Sequence, residues 1–412
     1  MTANYRLRQA TTALHFPQEL GGYRAEAWKP MDGAFRWVKE GEGERIERTD
    51  GRPFRQVAFR IAIDYRALPK SYAPFSPFSE GGALVYSGQF HACATAPCEQ
   101  PGPLPIRISS PGEIVGVEGR RSADRDQFVS RDEGTSIFIG TLKPVDADGF
   151  VAIIDPGLPV AAREHLDRSL PQSMQDLAAI YGPLSFKPEL YVSIDDEPEK
   201  DGRISSQGGT LPRQIFMHFD GEDAKKRMLA DSPLWLEWFF AHEAAHLYQQ
   251  DKSGKLVGDD RFGWMHEGGA DAMAALAMVG RGPAERAYVL KRKEEAEKAC
   301  ATGLATTTLS KASAEGKFDL QYQCGLIMWL SIDQDLRRAG KPGLADLNRA
   351  MFAAVRSGEQ WSQPLFFKLA GELGASPAVM MQIMTLADGN SNDALEALGA
   401  LGQVANGSLN LN

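Results

Sequence analysis

Ser232-Pro233-Leu234-Trp235-Leu236-Glu237-Trp238-Phe239-Phe240-Ala241-His242-Glu243-Ala244-Ala245-His246-Leu247-Tyr248 is the stretch on which the fold turns. An α-helix completes a turn in about 3.6 residues, so His242 and His246 lie on one face. Ser232 is a good N-cap and Pro233 suits the first helical turn, so a helix is expected to start here. Leu234, Trp235, Trp238 and Phe239 give it an apolar stripe, which predicts a buried helix. Two imidazoles at this spacing can reach one zinc ion, as the His-Glu-x-x-His pattern requires. Glu243 then stands where it can take a proton from water activated at that ion. With seven His in the chain, a chance match has a probability of about one in a hundred.

Catalytic zinc sites use three protein ligands and leave one position for water, whereas structural sites use four. A third ligand is therefore sought downstream, in Trp264-Met265-His266-Glu267-Gly268-Gly269-Ala270-Asp271. Glu267 and Asp271 are one helical turn apart and face the same way. Glu267 can bind zinc, and Asp271 can accept the N–H of His242 or of His246, fixing the tautomer of that ring. Ala270, Ala272, Ala274 and Ala275 favour helix. Gly268 and Gly269 weaken it, and close packing near the metal would account for them. His266 is the rival ligand. The metzincin pattern needs Gly three residues after the second His and a third His three further on. This chain has Gln249 and Lys252 there, so Glu267 is the expected ligand.

On His242-Glu243-Ala244-Ala245-His246 and Trp264–Asp271, the sequence resembles the gluzincins, the thermolysin-like metallopeptidases that hold zinc by two His and one Glu. The Trp-x-x-Glu-Gly-x-Ala-Asp string is most similar to that of the glycyl-aminopeptidase family, and next to the alanyl-aminopeptidase family. A third match is Tyr322-Gln323-Cys324-Gly325 and the apolar run after it. Those families carry a Tyr-x-x-Gly helix start whose hydroxyl stabilises an oxyanion. The resemblance implies that role for Tyr322, a phenol donor aimed at developing negative charge. Tyr248 and Tyr288 have no matching context. The families also place a Gly-rich strand ahead of the zinc helix, often with a Glu that binds the substrate's free amine. The matching stretch here is Ser205–Phe219. Gly208 and Gly209 would let a peptide lie along its edge, but no acidic residue follows them within that stretch. Exopeptidase and endopeptidase readings both stay open, with aminopeptidase-like the family expectation.

The resemblance implies one Zn²⁺ and a peptide or protein substrate. Two rivals stand beside it: a site acting on a non-peptide substrate, and a gluzincin fold retained for binding without catalysis. The intact Glu243 favours an enzyme.

The chain has 412 residues, 43% hydrophobic and 24% charged, which fits a globular protein of two or three domains. A net charge of −9 without a basic tract argues against a nucleic-acid partner. No apolar run is long enough for a membrane span. The first residues have no apolar signal core, so the chain as written carries no export address; a removed signal would make it periplasmic or secreted, and otherwise it is expected in the cytoplasm. The four Cys form two local pairs, Cys93 with Cys98 and Cys300 with Cys324. They read either as disulfides, implying an oxidising compartment, or as four unrelated thiols. A Cys300–Cys324 bond would hold the start of the Tyr322 helix to the helix before it.

The expected fold is α+β and multidomain. Residues 1–160 read as a β-sandwich-like domain of short strands, among them runs at Ala25-Glu26-Ala27-Trp28, from Phe54, from Gly82, at Ile106, from Glu113 and from Ser136. Residues 161–281 read as a thermolysin-like catalytic core. A helix from Ala161 to Tyr181, kinked or split at Pro171, is followed by strands near 188–194 and 213–219 and by the two zinc helices. His218, on the second strand, could face a cleft or be structural. Residues 282–412 read as a helical region that completes the site through Tyr322. Its helices are expected from Pro283, over Phe318–Arg338 up to Gly340 and Pro342, and near 343–356, 362–373 and 376–387, with a turn-like Asp388-Gly389-Asn390-Ser391-Asn392 and mobile last residues.

Overall fold

A computed structural model of the chain describes all residues except 18–19, 21, 42, 67, 69–70, 96–104, 118–119, 130–133, 148, 196–204, 231–232, 256, 258–261, 342 and 406–412. Contacts gather the chain into two compact units. One is Met1–Arg163 with Pro188–Ala230; the other is Glu164–Lys187 with Asp231–Asn412.

The first unit opens with β1 (Thr2–Thr11), β2 (Ala13–Phe16), the short helix α1 (Tyr23–Ala27), β3 (Trp28–Pro30), β4 (Phe35–Glu40), β5 (Gly43–Arg48) and β6 (Phe54–Ile61). Next come β7 (Phe75–Pro77), β8 (Ala83–Tyr86), β9 (Pro105–Val117), β10 (Arg120–Val129), β11 (Ser136–Gly140), β12 (Val145–Ala147) and β13 (Phe150–Ile154). One sheet has the order β3-β6-β1-β9-β11-β8-β7, with β10 paired to β9, and a second has the order β2-β5-β4. Successive side chains of a strand point to opposite faces. On β1 this buries Ala3, Tyr5 and Leu7, which share a core with Phe59, Ile106 and Ile108 of the same sheet and with Leu14, Phe16 and Ile46 of the other. The expected sandwich-like packing is present. Two local expectations are corrected. Ala25–Ala27 belongs to α1, with the strand starting at Trp28, and the runs at Ile106 and Glu113 are one strand, β9.

The helix α2 (Val160–Tyr181) follows, undivided at Pro171 because Leu166, Leu170, Met174 and Leu177 are buried along one face on both sides of it. Then come β14 (Glu189–Asp195), β15 (Ser205–Leu211), β16 (Gln214–Asp220) and α3 (Glu222–Ala230). A third sheet has the order β12-β13-β14-β16-β15. β13, β14 and β16 run parallel, and β15 is an antiparallel edge. The boundary expected at residue 160 falls inside this sheet, because β12 and β13 pair with strands that come after it.

The second unit is helical. It contains α4 (Leu234–Ser253), α5 (Gly263–Val279), α6 (Pro283–Leu304), α7 (Leu309–Ala312) and α8 (Asp319–Arg338). It ends with α9 (Leu344–Arg356), α10 (Gln363–Glu372), α11 (Pro377–Asp388) and α12 (Ser391–Ala405). Their apolar faces form one core. No helix was expected after Asp388, yet Ser391–Ala405 form α12; the last residues, expected to be mobile, lie outside the described residues. Ala394, Ala397, Leu398, Leu401 and Ala405 are buried in the core, and the Ser331 hydroxyl donates to the Leu401 carbonyl at 2.9 Å. The turn-like Asn390-Ser391-Asn392 that obscures this helix in the sequence is its capping segment: the Asn390 side-chain oxygen accepts from the Asn392 and Asp393 amides. Among the described residues, no helix is long and apolar enough to cross a membrane.

Candidate metal centre

Helix α4 starts behind Pro233 and stops at Gly254, whose φ of 73° is the left-handed conformation common after a helix end. Ser232, the expected cap, lies outside the described residues. The helix is buried on nearly all sides: Leu236, Glu237 and Phe240 are covered as well as Leu234, Trp235 and Trp238. His242, Glu243 and His246 thus sit on a rigid, enclosed element.

Helix α5 packs on α4 and α8. A Cβ on Gly268 would lie 2.4 Å from the Gly325 Cα, and one on Gly325 would lie 2.7 Å from the Gly268 Cα. The two helices cross backbone to backbone, which only glycine at both positions allows. The Trp264 amide donates to the Gln321 side chain at 2.9 Å at the same junction. Tyr322, one turn before Gly325, stacks its ring on that of His242, with centroids 5.4 Å apart. The Cys300–Cys324 disulfide ties α8 to α6, which decides for that pair between the two readings the sequence left open. Cys98, the other half of the pair read with Cys93, lies outside the described residues.

Three ligand-type atoms converge between α4 and α5. The His246 Nε2 is 3.1 Å from a Glu267 carboxylate oxygen and 3.1 Å from the His242 Nε2, which is 3.3 Å from the same oxygen. The other nitrogen of each ring is taken. His242 Nδ1 lies 2.9 Å from Asp271, which also accepts from the Trp238 indole at 3.0 Å. His246 Nδ1 lies 2.8 Å from the Gln249 side-chain oxygen. Asp271 therefore serves His242 rather than His246. Gln249 was not singled out by sequence reasoning, although its place three residues after His246 on the same helix face was a readable signal.

The electrostatics fit a cation site. Burial works against a charged His242, yet the carboxylates of Asp271, Glu267 and Glu243 outweigh it and raise that imidazole well above its ordinary range. Burial would also neutralise Glu267, but His246 and His242 hold it well below the usual carboxylate range. Burial, with the negative charge of Glu267, Glu243 and Asp271, keeps the Tyr322 hydroxyl protonated far beyond its ordinary value. Two imidazole nitrogens and one carboxylate oxygen are the donor set of a three-ligand zinc site. Among the described residues, His242, His246 and Glu267 form the one such metal-ligating group.

His266 is outside this group. Its ring lies against that of His246, with centroids 4.1 Å apart, and burial followed by the charge of His246 lowers its pKa to about 3. The Tyr248 hydroxyl donates to the Met174 carbonyl at 3.3 Å, and Tyr288 packs on Trp238, so both have structural work. In the first unit, His218 is buried in β16 against Tyr65, with its Nδ1 2.8 Å from the Ser193 hydroxyl. Gly208 and Gly209 lie on the edge strand β15. A Cβ on Gly209 would meet the rings of Phe216 and Tyr72 at 2.5 Å, so local packing already requires that glycine.

No protein-family model matches the chain, and no curated protein matches it in sequence. Solved structures do share its fold. An M1 zinc metallopeptidase from Deinococcus radiodurans, solved as a mutant with a Tyr-Ser-Ala substrate, is 13% identical with a TM-score of 0.53, over 94% of this chain and 89% of that one. An aminopeptidase N family protein from Idiomarina loihiensis is 11% identical with a TM-score of 0.56, over 91% of this chain and 68% of that one. Yeast LTA4 hydrolase in complex with bestatin is 14% identical with a TM-score of 0.52, over 92% and 61%. The fold of this chain, β-sheets first and helices after, is the multidomain fold of the M1 zinc metallopeptidases.

Proposed function

We propose that this protein is a zinc-dependent metallopeptidase, aminopeptidase-like, with one Zn²⁺ held by His242, His246 and Glu267. The observation that carries this reading is the convergence of those three side chains while Asp271 and Gln249 occupy the far nitrogens of both rings. A bound zinc ion supplies Lewis acidity, polarising a carbonyl and acidifying water. Glu243 takes a proton from the attacking water as the water oxygen bonds to the carbonyl carbon, and delivers it to the amine nitrogen as the C–N bond breaks. The Tyr322 hydroxyl, kept protonated by its surroundings, donates to the carbonyl oxygen as negative charge gathers there. Asp271 accepts the Nδ1 proton of His242 and so leaves its Nε2 free. Gly208 and Gly209, on an edge strand, offer backbone groups to an extended peptide. The Trp264–Asp271 string favours the glycyl-aminopeptidase pattern, and the Cys300–Cys324 disulfide favours an oxidising, exported setting.

The test is a digest of a diverse peptide mixture read by mass spectrometry, with wild type, Glu243→Gln and chelated protein in parallel. Cleavage by zinc-loaded wild type alone is expected. Single residues lost from N-termini would establish an aminopeptidase, and internal cuts an endopeptidase. A zinc-loaded wild type that cuts nothing would overturn the peptidase reading.

A further inference from the structure

The two histidines of the site are held by different chemistry. His242 leans on a carboxylate. His246 leans on Gln249, which is buried on α4, has its side-chain oxygen 2.8 Å from His246 Nδ1 and donates from its amide nitrogen to the His266 carbonyl at 3.0 Å. A backbone carbonyl can only accept, so the NH₂ end of the Gln249 amide must face His266. The amide oxygen is then fixed toward His246. An amide oxygen also only accepts, so Nδ1 of His246 must carry the proton and Nε2 must present its lone pair to the site. The same amide anchors α4 to the peptide group one residue before Glu267. One neutral side chain thereby sets the tautomer of the second histidine and holds the third ligand's helix in place.

From this geometry we infer that Gln249 is a positioning residue for the metal, coupling His246 to the Glu267 segment. The inference rests on the zinc-site reading above. It separates two jobs that substitutions can distinguish. Gln249→Ala removes both hydrogen bonds. Gln249→Glu keeps the size and the acceptor for His246, now as a carboxylate, but places a second acceptor against the His266 carbonyl and so loses the tie to α5. Outer partners of metal ligands typically alter metal affinity by about 10- to 100-fold.

The measurement is the zinc dissociation constant of the full chain, by competition with a chromophoric chelator, for wild type, Gln249→Ala and Gln249→Glu. Far-UV circular dichroism of each apo-protein confirms its folding, and the visible spectrum of the cobalt-substituted form reports coordination. Gln249→Ala is expected to bind zinc about 10- to 100-fold more weakly with an altered cobalt spectrum. Gln249→Glu should recover part of that loss, because the acceptor on His246 is restored. Wild-type affinity and an unchanged cobalt spectrum in a folded Gln249→Ala protein would overturn the positioning role alone. Absence of zinc binding by wild type would instead overturn the metal-site reading beneath it. If Gln249→Ala does not fold, the near-isosteric and uncharged Gln249→Met, which lacks both hydrogen bonds, decides: its zinc affinity must fall below wild type, and equality overturns the inference.

Discussion

Gly268→Ala perturbs the junction that sets the distance between the Glu267 helix and the Tyr322 helix. The added methyl would stand 2.4 Å from the Gly325 Cα and 2.5 Å from its carbonyl carbon, against an ordinary contact of at least 3.4 Å. Backbone atoms cannot rotate away, so α5 and α8 must separate by about 1 Å. Overpacking of this kind costs about 3 kcal/mol at the upper end of its usual range. Replacing a mid-helix glycine by alanine returns about 1 kcal/mol. The net loss is about 2 kcal/mol, or a melting temperature lower by about 4–8 °C for a unit of roughly 200 residues. Tyr322 rides on α8, so its hydroxyl moves with the helix, and a displacement near 1 Å is expected to lower kcat about 100-fold. The contacts between α4 and α5 are untouched, so zinc content should stay at the wild-type level. Gly269→Ala is the control. The nearest atoms its methyl would meet belong to the Trp329 indole, at 3.2 Å, a side-chain contact that a shift of a few tenths of an ångström relieves. The assays are differential scanning calorimetry, metal analysis and steady-state kinetics on the best peptide from the digest. A Gly268→Ala protein with wild-type melting temperature and kcat would refute the argument that this crossing positions Tyr322. Loss of zinc would show that the strain goes to Glu267 instead.

Glu243→Gln should keep zinc and lose about 10²- to 10⁴-fold in kcat, the usual weight of a general base; retained turnover in the zinc-loaded variant would remove Glu243 from that role. Glu267→Ala should fail to retain zinc on dialysis, and a fully loaded variant by metal analysis would point to another ligand. Tyr322→Phe should reduce kcat by about 10²- to 10³-fold with little change in KM; an unchanged kcat would return Tyr322 to packing against His242. Joint Cys300→Ser and Cys324→Ser should lower stability by about 3 kcal/mol in denaturant titration, because the bond closes a 24-residue separation; an unchanged unfolding midpoint would mean the linked segments are already held by α7 and the core.

Much of the site was legible because its chemistry is local. His242 and His246 share a face of one helix, and Glu267 and Asp271 share a face of another, so the 3.6-residue period aligns each pair before any tertiary contact forms. The end of α8 was readable from another local signal, the stops at Gly340 and Pro342. The errors came where long-range pairing decides. The sheet β12-β13-β14-β16-β15 crosses the boundary at residue 160, because strand pairing ignores chain order. Helix α12 was hidden by a polar start and is held by burial against a core that the sequence does not display.

The sequence by itself determined which residue types could hold a metal and the helices that carry them, since both follow from i to i+4 spacing. Only the tertiary structure decided the pairings: Asp271 with His242, Gln249 with His246, and His266 outside the cluster. It also decided why Gly268 and Gly325 are glycine. These depend on how two helices cross, a relation between segments far apart in the chain and set by close packing.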